Sequence, residues 1–165
     1  MAEQLKERDF KYLEKCLELA AESVKAGDEA FGSILVNADG KIIAEARNRV
    51  NEKTVLAHPE IDLAYWAAEN LSEEERSKTT MFTTGEHCPM CSAAHGWVSL
   101  GTLVYLSSAK QLGEWQQEFN LPEAPINFLP AEEIIKNLEI RGPASGELLD
   151  RIKNLHIETW SKEKI

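Results

Sequence analysis

The stretch TTGEHCPMCSAAHGW (residues 83–97) holds two cysteines, two histidines and a tryptophan, in a chain that elsewhere has one cysteine and two histidines. Cys88 and Cys91 stand three apart, which brings both sulfurs within reach of one metal ion if the backbone turns into a helix there. Pro89 directly follows the first sulfur, and proline suits the first turn of a helix because its missing N–H has no partner to lose. The spacing therefore predicts a helix over CPMCSAAHGWVSL (88–100). TTMFTT (79–84) before it is rich in β-branched and aromatic residues and reads as a strand, as does TLVYLS (102–107) after it. Strand, helix, strand in this order builds a right-handed parallel crossover.

Outward from this unit the hydrophobic periodicity fills in the rest. Phe10, Leu13, Leu17, Ala20, Ala21 and Val24 recur at three- and four-residue steps, predicting an amphipathic helix from Asp9 to Ala26 ended by Gly27. FGSILV (31–36), the turn signal ADG and KIIAEA (41–46) read as a hairpin over Phe31 to Arg47. Residues 47–55 are polar and predict a loop. A second helix from about Ala57 to Asn70 is expected to turn Ile61, Ala64, Tyr65 and Ala68 to one face, with SEEER (72–76) as a solvated connection. Beyond Lys110 the pattern gives a helix near Leu112 to Phe119, a proline-punctuated connection, an apolar INFL (126–129) and a last helix from Ser145 to about Trp160. The expectation is one α/β domain over residues 1–165, with a core of about 9–110 and a C-terminal strand and helix within 111–165.

Composition bounds the function. At 165 residues and 43% hydrophobic content the chain can fill one core without covalent staples. A net charge of −10 with no Lys/Arg-rich run works against a broad phosphate-binding surface, so nucleic acid is disfavoured as a partner and a small or neutral one is favoured. The residues after Met1 match neither a signal nor a transit peptide, and no apolar run is long enough for a membrane span, so a cytoplasmic protein is expected. An odd cysteine count in a reducing compartment suits a metal pair plus one bystander, Cys16, better than disulfides.

Thirty residues before Cys88, His58 and Glu60 flank Pro59 at the start of the second expected helix. One imidazole and two thiolates make three protein ligands, the number that leaves a tetrahedral zinc open for chemistry, whereas structural sites generally close with four. Both proline-marked ligands sit at helix N-termini, where the free amides favour a thiolate by about 0.3–1 kcal/mol when exposed. Zinc can lower the pKa of bound water to about 7, and a neighbouring carboxylate can take the proton. Glu60 is the candidate, delivering that proton to a ring nitrogen and then to a departing amine.

With His58-Pro59-Glu60 and Cys88-Pro89-Met90-Cys91 in place, the sequence resembles the zinc-dependent cytidine deaminase-like superfamily, whose signature is H-x-E followed by P-C-x-x-C. The element order from Asp9 to about Lys110 follows that family, and FGSILV, ARNRV and CPMCSAAHGW look most like its guanine deaminase and tRNA adenosine deaminase branch. The resemblance implies a three-layer α/β/α fold with a mixed five-stranded sheet and helices on both faces. It implies one zinc per chain on His58, Cys88 and Cys91, with Glu60 catalytic, and a homodimer. It also implies that Asn48 anchors the substrate and that Phe31 and Trp97 lie near the base. Read from the residues alone, Asn48 could bond only its own backbone, Phe31 could open a core strand, and Trp97 could fill the core side of its helix. The chain departs from the family at His87, where proline is usual, and at Pro59, where a small residue is usual.

Three further groups stay open at this stage. His87 could be an extra ligand, a donor behind the metal or a bystander. His95, four residues after Cys91, could close the site as a fourth ligand and abolish catalysis. Glu114 or Glu118 could face a guanine-type ring, while His156 and Trp160 in the last helix read as C-terminal packing. The leading function is hydrolytic deamination of a small aminated heterocycle, a nucleobase or nucleoside. The alternatives are a tRNA adenosine deaminase and a noncatalytic zinc-stabilised interaction module.

Overall fold

The computed structural model describes residues 2–162. Five strands, β1 (Gly32–Val36), β2 (Ile42–Arg47), β3 (Thr80–Gly85), β4 (Leu103–Ser107) and β5 (Ile140–Arg141), form one mixed sheet in the order β2-β1-β3-β4-β5. β1 runs antiparallel to both β2 and β3, while β3, β4 and β5 are parallel. Alternation along the strands sorts the core into two layers. Ile34, Val36, Phe82, Val104 and Leu106 pack under α1 (Asp9–Lys25) and α7 (Glu147–Lys162), joined by Trp115 of α5 (Ala109–Glu118). Leu35 and Met81 pack against Leu63 and Ala67 of α2 (Pro59–Asn70) on the other face, where α4 (Pro89–Trp97) and α6 (Ala131–Ile134) also lie. The three-layer expectation holds. Of the expected domain, residues 1 and 163–165 lie outside the described residues. Among the described residues no helix is long and apolar enough to cross a membrane.

Where the structure departs from the sequence reading, the reasons are local. SEEER is a short helix, α3 (Glu73–Ser77), capped reciprocally by Ser72 and Glu75, the capping box that S-x-x-E spells. INFL forms no strand, and Ile126, Phe128 and Leu129 are exposed. The C-terminal strand is instead β5, two residues long, held by pairing with β4 and by a buried bidentate contact of Arg141 with Asp9 (2.7 and 2.8 Å). Ligands separated by 132 residues leave no local signal. In α1 the buried stripe is Tyr12, Leu13, Cys16, Leu17, Leu19, Ala20 and Val24, with Phe10 and Ala21 outside it. In α2 the buried residues are Pro59, Glu60, Leu63, Ala64 and Ala67, and Tyr65 and Ala68 face outward, against expectation.

Candidate functional site

The site lies at the sheet end where β3 finishes, β1 begins and β2 runs out into the 47–57 loop. That loop is organised by Asp28, whose Oδ1 accepts from the amides of Asn51 and Glu52 and whose Oδ2 accepts from Arg47 (3.1 Å). The Arg49 amide donates to the Ala57 carbonyl, closing the loop just before His58. His58 and Cys88 are the N-caps of α2 and α4, both in extended backbone with proline as the first helical residue. Cys91 lies one turn into α4 and is fully buried. The two helices thus aim their N-terminal ligands at one point.

The donor atoms of His58, Cys88 and Cys91 all lie within 4.8 Å of one another. His58 Nδ1 is 3.6 Å from Cys88 Sγ and 3.7 Å from Cys91 Sγ. At zinc bond lengths of about 2.05 Å to nitrogen and about 2.3 Å to sulfur, a tetrahedral angle separates N from S by about 3.6 Å. Both N–S separations therefore match tetrahedral zinc. Its protons are already sorted: a hydrogen bond from Cys91 and the neighbouring His58 hold the Cys88 thiol down to about 4, and the contact with Cys88 holds His58 up to about 9. Cys91, beside the Cys88 sulfur and buried, is pushed up, and its thiol donates to Glu60 Oε2 at 3.6 Å.

Glu60 lies beside this trio and outside it. Thr83 Oγ1 donates to its Oε1 at 3.0 Å, Ser33 Oγ approaches at 3.5 Å and donates to Thr83 at 2.8 Å, and Oε2 is 3.6 Å from Cys91 Sγ. Burial raises the Glu60 pKa, partly offset by His58. Ser33 and Thr83 are register partners on β1 and β3. Neither was singled out from the sequence, although hydroxyls inside the otherwise apolar runs GSILV and TMFTTG are the signal that buried polar groups have a partner.

Of the expected substrate contacts, Asn48 and Phe31 stand at this sheet end. Asn48 is buried; its Oδ1 accepts from the Glu29 and Val50 amides, which fixes the side chain and leaves Nδ2 as its donor. The Asn48 amide in turn donates to the Phe31 carbonyl. The Phe31 ring lies over Gly85, where an added Cβ would come within 3.0 Å of it, and meets His156 edge-on at 5.0 Å. His156 is buried, stacked on Trp160, and held down to about 3 by burial. Trp97 is 88% exposed at the far end of α4, so it neither fills the core nor joins these residues. Glu114 and Glu118 are surface groups paired with Lys110 and Lys153. His95 is no ligand, because its Nε2 bonds the Gly101 carbonyl at 2.7 Å and its Nδ1 meets His87 Nε2 at 3.1 Å.

Comparison with known proteins agrees with this geometry. Residues 6–107 match the family described as the cytidine and deoxycytidylate deaminase zinc-binding region. A probable cytosine deaminase of Schizosaccharomyces pombe is 26% identical over 144 residues, covering 85% of this chain and 86% of that protein. The guanine deaminase of Bacillus subtilis is 33% identical over 107 residues, 62% of this chain and 67% of its own. The solved structure of guanine deaminase from Nitrosomonas europaea superposes with a TM-score of 0.68 at 20% identity, covering 98% of this chain and 87% of that one, a likeness of fold. The matched segment contains every donor of a trio spaced for tetrahedral zinc, and the chain belongs to the zinc-binding family of cytidine and deoxycytidylate deaminases.

Proposed function

We propose that the protein is a zinc-dependent hydrolytic deaminase of a small aminated heterocycle, a nucleobase or nucleoside of guanine deaminase-like type, releasing ammonia. The observation that carries this is Glu60: a buried carboxylate held by the Thr83 hydroxyl, which Ser33 holds in turn, with its second oxygen turned to the metal donors and no place among them. Zinc held there supplies a Lewis acid that lowers the pKa of water to about 7. Glu60 takes one water proton as the oxygen attacks the ring carbon bearing the amine and passes it to the ring nitrogen; it then takes the second proton from the new hydroxyl and hands it to the amine, which leaves as ammonia as the C–N bond breaks and the carbonyl forms. Burial, which raises its pKa, favours the protonated form through which it must pass. Thr83 and Ser33 keep the carboxylate aimed, Asn48 Nδ2 donates to the substrate, and Phe31 offers a ring face for stacking.

A small ring is favoured over an RNA strand by the charges around the site. The nearby cations Arg47 and Arg49 are spent on Asp28, Glu52 and Asp62, leaving little to neutralise phosphates. Ammonia release measured across a panel of nucleobases, nucleosides and a tRNA anticodon arm tests the assignment. Turnover of a free base or nucleoside is expected; turnover of the tRNA alone overturns the substrate class. Binding of a second copy belongs to the same proposal. α4 carries no charged residue and its last residue, Trp97, is 88% exposed, in a chain of net charge −10. Sedimentation should give a dimer that Trp97→Glu disrupts.

A further inference from the structure

The geometry points to a two-histidine relay, His87–His95–Gly101, that presets the cysteine loop for zinc; we infer that His87 and His95 are positioning residues of the metal site. The proposal rests on the zinc site and not on the choice of substrate.

Both rings are fully buried. The polarity of the chain is fixed from its far end, because the Gly101 carbonyl can only accept, so His95 Nε2 carries the proton. A neutral His95 then has a bare Nδ1, and His87 must donate to it from Nε2 across the 3.1 Å contact. Its own Nδ1 is left enclosed with no partner. Gly101 is itself anchored, its amide donating to the carbonyls of Arg76 in α3 and of Thr79 just before β3. The relay therefore ties the residue before Cys88, through a ring one helical turn beyond Cys91, to the framework that precedes β3.

Both sulfurs sit inside this tie. A CxxC turn at a helix start is free to fray and rotate its thiols apart, and zinc is retained only while both point at His58. Holding His87 from one side and His95 from the other fixes where α4 begins and how it is rotated. The enclosed Nδ1 of His87 is the cost of that arrangement, because a buried acceptor without a donor opposes folding. A pair used only for packing would be better served by apolar rings of the same size, as at Phe82 or Trp115.

The test measures release of zinc from the loaded protein to a chromogenic chelator in His87→Phe, His95→Leu and the double variant. Near-ultraviolet circular dichroism and melting of the zinc-free forms are recorded beside it. Each single variant is expected to release zinc about 10- to 100-fold faster, the range for groups that orient a metal ligand, with its fold retained. The double variant should be no faster than the worse single, since one chain is broken only once. Release within about twofold of the parent overturns the inference, as does a double effect equal to the product of the singles. If His87→Phe fails to fold, His87→Asn carries the same expectation. Nitrogen-15 spectra of labelled histidine should show unprotonated Nδ1 on both rings; a protonated Nδ1 on either contradicts the relay. Because none of these readouts is turnover, failure of the relay and failure of the deaminase assignment remain separate results.

Discussion

Glu60→Gln separates the chemistry from the scaffold. The amide oxygen can keep the 3.0 Å bond from Thr83 and the approach of Ser33, and the new NH2 replaces the oxygen that faces Cys91 Sγ at 3.6 Å. No donor of the zinc trio changes. What is lost is proton transfer, which in general acid–base catalysis is worth about 10²- to 10⁴-fold per group. Glu60 serves as base and then as acid, so the upper half of that range applies, or about 4–5.4 kcal/mol at 1.36 kcal/mol per tenfold. Ammonia release should therefore fall at least about a thousandfold while zinc per chain, measured by atomic emission, is unchanged. Stability supplies a second readout with a definite sign. Burial raises the folded pKa of Glu60 above its unfolded value, so its contribution is full below the unfolded value of about 4.3 and is lost as pH rises through the folded one. The zinc-free variant should lack that loss, and its melting temperature should gain on the parent as pH increases from 4 toward neutrality. A variant with equal zinc that retains more than a tenth of the parental turnover would refute Glu60 as the proton carrier.

Zinc uptake should be proton-coupled in a way that reports the paired ligands. With Cys88 held to about 4 and His58 held to about 9, binding at about pH 5.5 should expel two protons, from His58 and Cys91, where an unpaired imidazole and two ordinary thiols would expel about three; calorimetry in buffers of different ionisation enthalpy counts them. Gly32→Ala places a Cβ 2.6 Å from Leu19 Cβ and 2.7 Å from the Ala20 nitrogen, neither at the end of a flexible chain. Overpacking of that kind costs about 1–3 kcal/mol, or a melting temperature lower by about 2–12 °C in a chain of this size, and no measurable drop would contradict the close approach of α1 to β1. Arg141→Ala strands the carboxylate of Asp9, itself 0% exposed, and should cost about 3–5 kcal/mol in urea unfolding; a loss under about 1 kcal/mol would show that the pair does not hold β5.

The metal trio was legible because each half is a local pattern with its own helix-start signal, readable whatever elements lie between them. The groups that aim Glu60 were not, since Ser33 and Thr83 meet only through the β1–β3 register, fifty residues apart in sequence. Asp28, which builds the loop ahead of His58 through three hydrogen bonds, looked like any other acid in a chain rich in them. Glu86 was equally silent: its two oxygens accept from the amides of Ala109 and Ala131, tying α5 and α6 to the segment between β3 and the cysteines of α4. Such side chains are chosen by tertiary neighbours, and sequence spacing says nothing about those.

The misplaced face of α2 has a different origin, and the site explains it. Apolar residues lie on both sides of this helix, so counting hydrophobic repeats finds Ile61, Ala64, Tyr65 and Ala68 as readily as Leu63, Ala64 and Ala67. A helix without a marked apolar stripe has no phase that periodicity can read. Function does set one. If Glu60 is to reach a metal that His58 holds, it must face the sheet, and then positions three, four and seven residues on, Leu63, Ala64 and Ala67, must face it too. Those are the buried residues. The phase of α2 thus follows from the proton carrier, and Tyr65 is left on the outward face because the opposite one is committed to the site.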